Sequence, residues 1–339
     1  MSELRLDPIK KHWVILAGER AQRPSEFSIT VETRSSDECP FCPGHENETP
    51  NPILTLSDAA KDGWAARLIP NKFPAVDQIE EELLPVPLPH EVRRGQGRHE
   101  VMIESPLHDD RQSRYSTSHL ASILGIYQSR IGEFINSFSC RHVTIFTNVG
   151  YRAGATLSHP HSQIIGLRQV PGVIERELES AVLHYKMGGS CLFCDLLKAD
   201  LDSGARVIYS TDGFIALCPY ASRFAYEFAI YPRWHMADFR DVKAEEMQSF
   251  AGFLKACLGA MDVCLNDPDY NVILHSAPAV SDQANLIEAA YHWHLEVIPR
   301  VSTQAGMEWG TGIHINSFPP EKVAQSYSRE LLRENTIAL

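Results

Sequence analysis

Residues 158–166 read SHPHSQIIG. On an extended backbone side chains two apart point the same way, so His159, His161 and Gln163 are placed on one face. Two CxxC pairs, Cys39/Cys42 and Cys191/Cys194, add thiols. Each pair is followed, far along the chain, by two histidines at matching places: His108 and His159, then His235 and His292. Thiolates with imidazoles favour tetrahedral Zn²⁺, and four protein ligands leave no open position, so two structural zinc sites per chain are expected. The plainer reading is two unrelated CxxC turns and ordinary core histidines; recurrence of the whole pattern favours zinc. A thioredoxin-like redox role is weaker, because neither CxxC sits in an evident βαβ context.

If metal holds His159, His161 is left over beside it. A neutral imidazole can attack phosphorus, and the bond it forms is labile enough to pass the group on. Gln163 can donate an amide hydrogen bond to a phosphate oxygen without adding negative charge. The upstream loop TNVGYRAGATLSHP (147–160) offers Gly150 and Gly154 for close backbone approach, and polar Asn148, Thr156 and Ser158. The second half carries His294 and Glu296 at the corresponding places. A carboxylate there repels phosphate, so the chemistry is assigned to the first half and scaffolding to the second. The alternative for His161 is a satisfied core histidine.

The elements that must position these residues come in the same order twice. CPFC is followed by strand 99–108, helix 118–135, β-run 142–150 and SHPHSQIIGL; CLFC is followed by GFIALCPY and YEFAIYPRWH, helix 244–261, YNVILHSAP and YHWHLEVIP. This predicts an α+β fold built from a duplicated unit, each copy an antiparallel sheet with a packed helix. The expected division is a catalytic half (1–165), a linker (166–190), a second half (191–300) and a C-terminal tail (301–339). Trp234 and Trp293 each adjoin a ligand histidine and are expected to pack around metal.

The chain has 339 residues, 44% hydrophobic and 22% charged, with net charge −12. That balance argues against a broad basic face for nucleic acid. There is no signal-peptide-like start and no run of about 18 apolar residues, so a cytoplasmic location without membrane attachment is expected. Cys140, Cys218, Cys257 and Cys264 read as small buried hydrophobes.

Together HPHSQ, CPFCPGH, RAQRP (20–24), NKFPA (71–75) and ESPLH (104–108) make the chain resemble the galactose-1-phosphate uridylyltransferase family, the transferase branch of the histidine-triad superfamily. The resemblance implies duplicated histidine-triad-like units. It also implies a ping-pong reaction, in which a nucleotide sugar such as UDP-glucose leaves its nucleoside monophosphate on His161 and a phosphate acceptor collects it. By position, Gln163 is the phosphate-binding partner, Cys39, Cys42, His108 and His159 match the family's zinc ligands, and Arg20, Asn71, Asn148 and Ser158 fall where members contact the nucleotide. The resemblance further implies a homodimer in which the neighbour's C-terminal segment completes the sugar site. Several features depart from the family's best-known members. HPHSQ, where well-known members read HPHGQ, together with the second CxxC and the tail 306–321, looks more like the ADP-glucose phosphorylase branch, with inorganic phosphate in place of a hexose 1-phosphate. Some members hold iron with one glutamate and three histidines. Glu177 and His275 could match two of these ligands, but Glu296 and Ile298 replace the others, so iron is not expected. A histidine-triad hydrolase and a non-catalytic zinc-stapled nucleotide-binding module are the remaining readings.

Overall fold

The computed structural model describes residues 2–19, 35–58, 63–78 and 89–337. Its strands are β1 (Glu3–Leu6), β2 (Trp13–Leu16), β3 (Leu54–Asp58), β4 (Gly63–Pro70), β5 (Gly97–Ile103), β6 (His142–Val149), β7 (His161–Leu167), β8 (Val207–Ser210), β9 (Phe214–Leu217), β10 (Phe228–Pro232), β11 (Tyr270–His275), β12 (His294–Pro299) and β13 (His314–Asn316). The helices are α1 (Thr117–Phe138), α2 (Gly172–Gly188), α3 (Leu192–Ser203), α4 (Ala244–Leu265), α5 (Ala284–Ala290), α6 (Gly306–Thr311) and α7 (Pro320–Ile337).

The two long helices follow from their apolar spacing. Leu120, Ile123, Leu124, Tyr127, Ile131 and Phe134 line one face of α1, and Met247, Phe250, Leu254, Cys257, Leu258 and Met261 line α4. Ser116 caps α1 by accepting from the His119 N–H, and Ser139 in the left-handed region ends it. Burying each large apolar side chain contributes about 1.5–3 kcal/mol. Both helices pack on the same side of one ten-stranded sheet, with the core between them.

That sheet runs β3-β4-β5-β7-β6-β11-β12-β10-β9-β8. Read inward from either edge, the two halves have the same order, and β6 pairs antiparallel with β11 to join them. The expected duplication is therefore present, but the two sheets are continuous rather than separate. Alternation then sorts the side chains. Ser162 and Ile164 point toward the helices, while His161 and Gln163 point to the opposite face, opposite Ile103 and Val101 of β5. Gly166 permits α1 to lie close, since a Cβ there would meet the Phe134 ring at 2.4 Å.

The stretch 166–190, read as a linker, carries the 17-residue helix α2. Its buried face includes Glu177 and Ser180 beside Ile174 and Ala181, which mutes the apolar period. A second sheet, β1-β2-β13, ties the N-terminus to the tail.

Candidate functional site

Cys39 and Cys42 sit in a tight turn closed by Cys42 N–H donating to the Cys39 carbonyl at 3.2 Å. His108 follows β5 and His159 precedes β7, and one ligand atom from each of the four lies within 4.8 Å of the others. Cys42 Sγ is 3.3 Å from His108 Nδ1 and 3.5 Å from His159 Nδ1. A tetrahedral ion with ordinary Zn–S and Zn–N bonds separates such atoms by about 3.6 Å, so the residues fit a bound ion. His159 Nε2 donates to the Ser105 carbonyl at 2.7 Å, which leaves its Nδ1 lone pair free for metal.

Cys191, Cys194, His235 and His292 repeat this arrangement. Cys194 Sγ is 3.5 Å from both His235 Nδ1 and His292 Nδ1, while the two Nε2 atoms face the carbonyls of Glu288 at 2.7 Å and Pro232 at 3.0 Å. Both sets of four predicted ligands thus converge.

His161 opens β7. Its Nδ1 donates to the His159 carbonyl at 2.8 Å, so Nε2 keeps its lone pair. The ring is 7% exposed, and burial holds it below the ordinary histidine pKa, so it is neutral near pH 7. Phe41 meets it edge-on at 5.4 Å, above an apolar floor of Ile69, Val101 and Ile103. Behind the strand, Ser162 donates to the fully buried Glu104, which also accepts from Tyr127 at 2.8 Å and Gln112 at 2.9 Å. The hydroxyl at 162 therefore belongs to a closed polar network on the helix side.

Gln163 Oε1 lies 2.9 Å from His99 Nε2. Asn71 Oδ1 accepts the Phe73 N–H at 2.8 Å, and its Nδ2 is 3.0 Å from the same His99 nitrogen. The structure thus places Asn71 and Gln163 beside the same nitrogen of His99, a residue not among the predicted site residues. The alternation of HEVMI was the available signal, because it puts His99 on the face of Val101 and Ile103. Ser158 Oγ is 2.9 Å from His108 Nε2, so it orients the ring of a candidate metal ligand. Asn148 lies on β6 and its Oδ1 accepts from Asn271 Nδ2 at 2.7 Å. Arg20 lies outside the described residues.

In the second half His294 Nδ1 faces the His292 carbonyl at 3.1 Å, repeating the His161 contact. Its ring is stacked between Tyr231 at 5.3 Å and His275 at 4.5 Å. Glu177, His275 and His294 form a third group with ligand atoms within 4.8 Å, so the third member is His294 rather than position 296 or 298. Lys10 Nζ lies 3.6 Å from Glu177 and bonds Glu296, and Arg223 bonds Glu296 at 3.0 Å. Burial alone would raise the Glu296 pKa, but Lys10 and Arg223 hold it well below the carboxylate range. The carboxylate that was expected to repel phosphate is thus compensated by the chain's own cations.

Residues 1–171 match the family model described as galactose-1-phosphate uridyl transferase, N-terminal domain, and residues 124–337 match a domain of unknown function. The chain is 32% identical over 331 residues to the ADP-glucose phosphorylase of Arabidopsis thaliana, covering 95% of this chain and 91% of that protein. It is 25% identical over 351 residues to the galactose-1-phosphate uridylyltransferase of Thermotoga maritima, covering 100% of each. The crystal structure of an Arabidopsis thaliana ADP-glucose phosphorylase with bound ADP-glucose superposes with a TM-score of 0.83 at 31% identity, over 97% of this chain and 99% of that one.

Proposed function

This chain belongs to the galactose-1-phosphate uridylyltransferase family of nucleotidyltransferases, and from that premise we propose that it moves a nucleoside monophosphate between a nucleotide sugar and a phosphate acceptor through His161. The observation that carries the reading is the His161 Nδ1 bond to the His159 carbonyl, which commits the ring proton and leaves Nε2 as the nucleophile. In the first step Nε2 bonds to the α-phosphorus, the bond to the bridging oxygen breaks, and sugar 1-phosphate leaves. In the second an acceptor phosphate oxygen attacks the same phosphorus and releases the imidazole. Gln163, two residues along the same face, holds a non-bridging oxygen through both steps. Asn71, Asn148, Ser158 and Arg20 are assigned to nucleotide and phosphate contacts.

The substrate reading favoured here is ADP-glucose with inorganic phosphate, supported by 32% identity to the plant phosphorylase against 25% to the bacterial uridylyltransferase. UDP-glucose with a hexose 1-phosphate is the second reading, supported by the match of residues 1–171 to the uridyl transferase model.

Both Cys₂His₂ sets are assigned Zn²⁺, for which the donor types and spacings fit. Zinc in these closed sites supplies structural anchoring, with no open position for substrate. Residues 1–165 take the chemistry, 166–190 connect, 191–300 scaffold, and 301–339 reach the sugar site of a homodimeric neighbour. None of the eight cysteines is in a disulfide, which suits a reducing cytoplasm.

The test is incubation of zinc-replete protein with ADP-glucose and with UDP-glucose, followed by mass analysis of the peptide spanning 153–168. An AMP or UMP adduct on His161 is expected. Absence of an adduct with every nucleotide sugar would remove the reading.

A further inference from the structure

Gln163 is useful to a phosphate only in one orientation. Its two amide ends are nearly alike in shape, yet the NH₂ end stabilises a phosphate oxygen and the carbonyl end repels it. Something must choose between them. The β5–β7 register pairs Val101 with Gln163 and His99 with Ile165, which sets His99 diagonally beside Gln163 on the reactive face.

Ala75 N–H donates to His99 Nδ1 at 3.1 Å. A backbone amide can only donate, so Nδ1 is an acceptor, and the proton of the neutral ring is on Nε2. Burial lowers the His99 pKa, against the opposing effect of its bond to Gln163, which keeps the ring neutral near pH 7. Nε2 then donates to the nearest acceptor, Gln163 Oε1 at 2.9 Å. Asn71 Nδ2, 3.0 Å from the same nitrogen, is itself a donor, and its amide is already fixed by Phe73. It cannot compete for that proton.

The second half provides a comparison. Ala229 pairs with Glu296 as Val101 pairs with Gln163, so Glu227 holds the place of His99. There Arg223 bridges the two carboxylates at 2.7 and 3.0 Å. In each half the residue beside the phosphate-facing position is tied to it, by a neutral hydrogen bond in one and by an ion bridge in the other.

We propose that His99 is a positioning residue for nucleotidyl transfer, holding the Gln163 carbonyl so that the NH₂ group is presented to the phosphate. The proposal rests on the His161 adduct reading. Its test is the single-turnover rate of adduct formation with ADP-glucose and UDP-glucose for wild type, His99→Phe, Gln163→Leu and the double variant. His99→Phe is expected to slow the step by roughly 10- to 100-fold, leaving KM within about threefold, because the donor is lost from the transition state more than from binding. In the Gln163→Leu background the same change is expected to cost less than about twofold, since coupled residues are non-additive. His99→Gln, which restores an N–H donor, is expected to recover much of the rate.

A wild-type rate in His99→Phe, or effects that multiply in the double variant, would overturn the proposal while leaving the adduct reading intact. No adduct in wild type would end both. Should His99→Phe fail to fold, ¹⁵N spectra of wild-type imidazoles, with His99 assigned by its loss in His99→Gln, decide the matter: an Nε2–H tautomer supports the proposal and an Nδ1–H tautomer sinks it.

Discussion

His159 serves His161 through its backbone while its own ring faces Cys42 and His108. The carbonyl accepts from His161 Nδ1 at 2.8 Å, and its Nδ1 lies 3.5 Å from Cys42 Sγ. One residue therefore couples the Cys₂His₂ frame to the tautomer of its neighbour.

Replacing His161 with Ala is expected to lower transfer by about four orders of magnitude or more, because it removes the proposed nucleophile. Binding of AMP or UMP, followed by calorimetry, should change only a few-fold. A variant that still turns over nucleotide sugar would show that the nucleophile is elsewhere.

Gln163→Glu places a negative charge where the proposed reaction holds a non-bridging oxygen. Loss of roughly 10²- to 10³-fold in the single-turnover rate is expected, the cost of removing one well-placed donor. Near-wild-type rates would mean that Gln163 does not touch the phosphate.

Cys39→Ser is expected to release about one of two bound zinc ions and to loosen the first half, because ligand loss couples directly to folding. Metal content by mass spectrometry, beside a melting curve, reads both effects. Cys191→Ser should release the other ion. Unchanged zinc in either variant would cancel that site's assignment.

The pH dependence of kcat/KM has a definite sign. Burial lowers the His161 pKa, and the neutral ring is the proposed nucleophile, so activity is expected above the folded pKa and should fall about tenfold per unit below it. The acid limb should therefore lie below the ordinary histidine value of about 6.5. An inflection at higher pH, tracked to His161 by NMR, contradicts this assignment.

Lys10→Met removes a buried ammonium that bonds Glu296 and lies 3.6 Å from Glu177. Leaving those carboxylates under-compensated is expected to cost about 3–5 kcal/mol, seen as a lower denaturant midpoint. Adduct formation by the folded fraction should persist, since Lys10 belongs to the second half's cluster. Unaltered stability would show that Arg223 and His275 suffice.

Reading the motifs was enough where the signal is local. The two CxxC turns, their histidines and the His-x-His-x-Gln face are short patterns whose geometry follows from strand alternation, and the duplicated order of elements needed only periodicity. Other parts depended on partners remote in sequence. Helix α2 was hidden because Glu177 and Ser180 occupy its buried face, and their burial makes sense only once Lys10 and His275 arrive. Trp293, expected around the metal, points the other way into the helix-side core, 5.0 Å from Phe239 and 5.2 Å from Phe250, because adjacent strand residues face opposite sides.

By itself, then, the sequence determined which side chains could bind metal and which imidazole was spare, since those are properties of residue type and spacing. Tertiary structure alone decided the protons. The tautomer of His161 depends on the carbonyl of His159, whose ring lies in the Cys₂His₂ cluster, and that of His99 on the amide of Ala75, 24 residues away. The charge on Glu296 depends on a lysine 286 residues distant. Hydrogen-bond polarity is set by what packs against a group, and no local pattern encodes that.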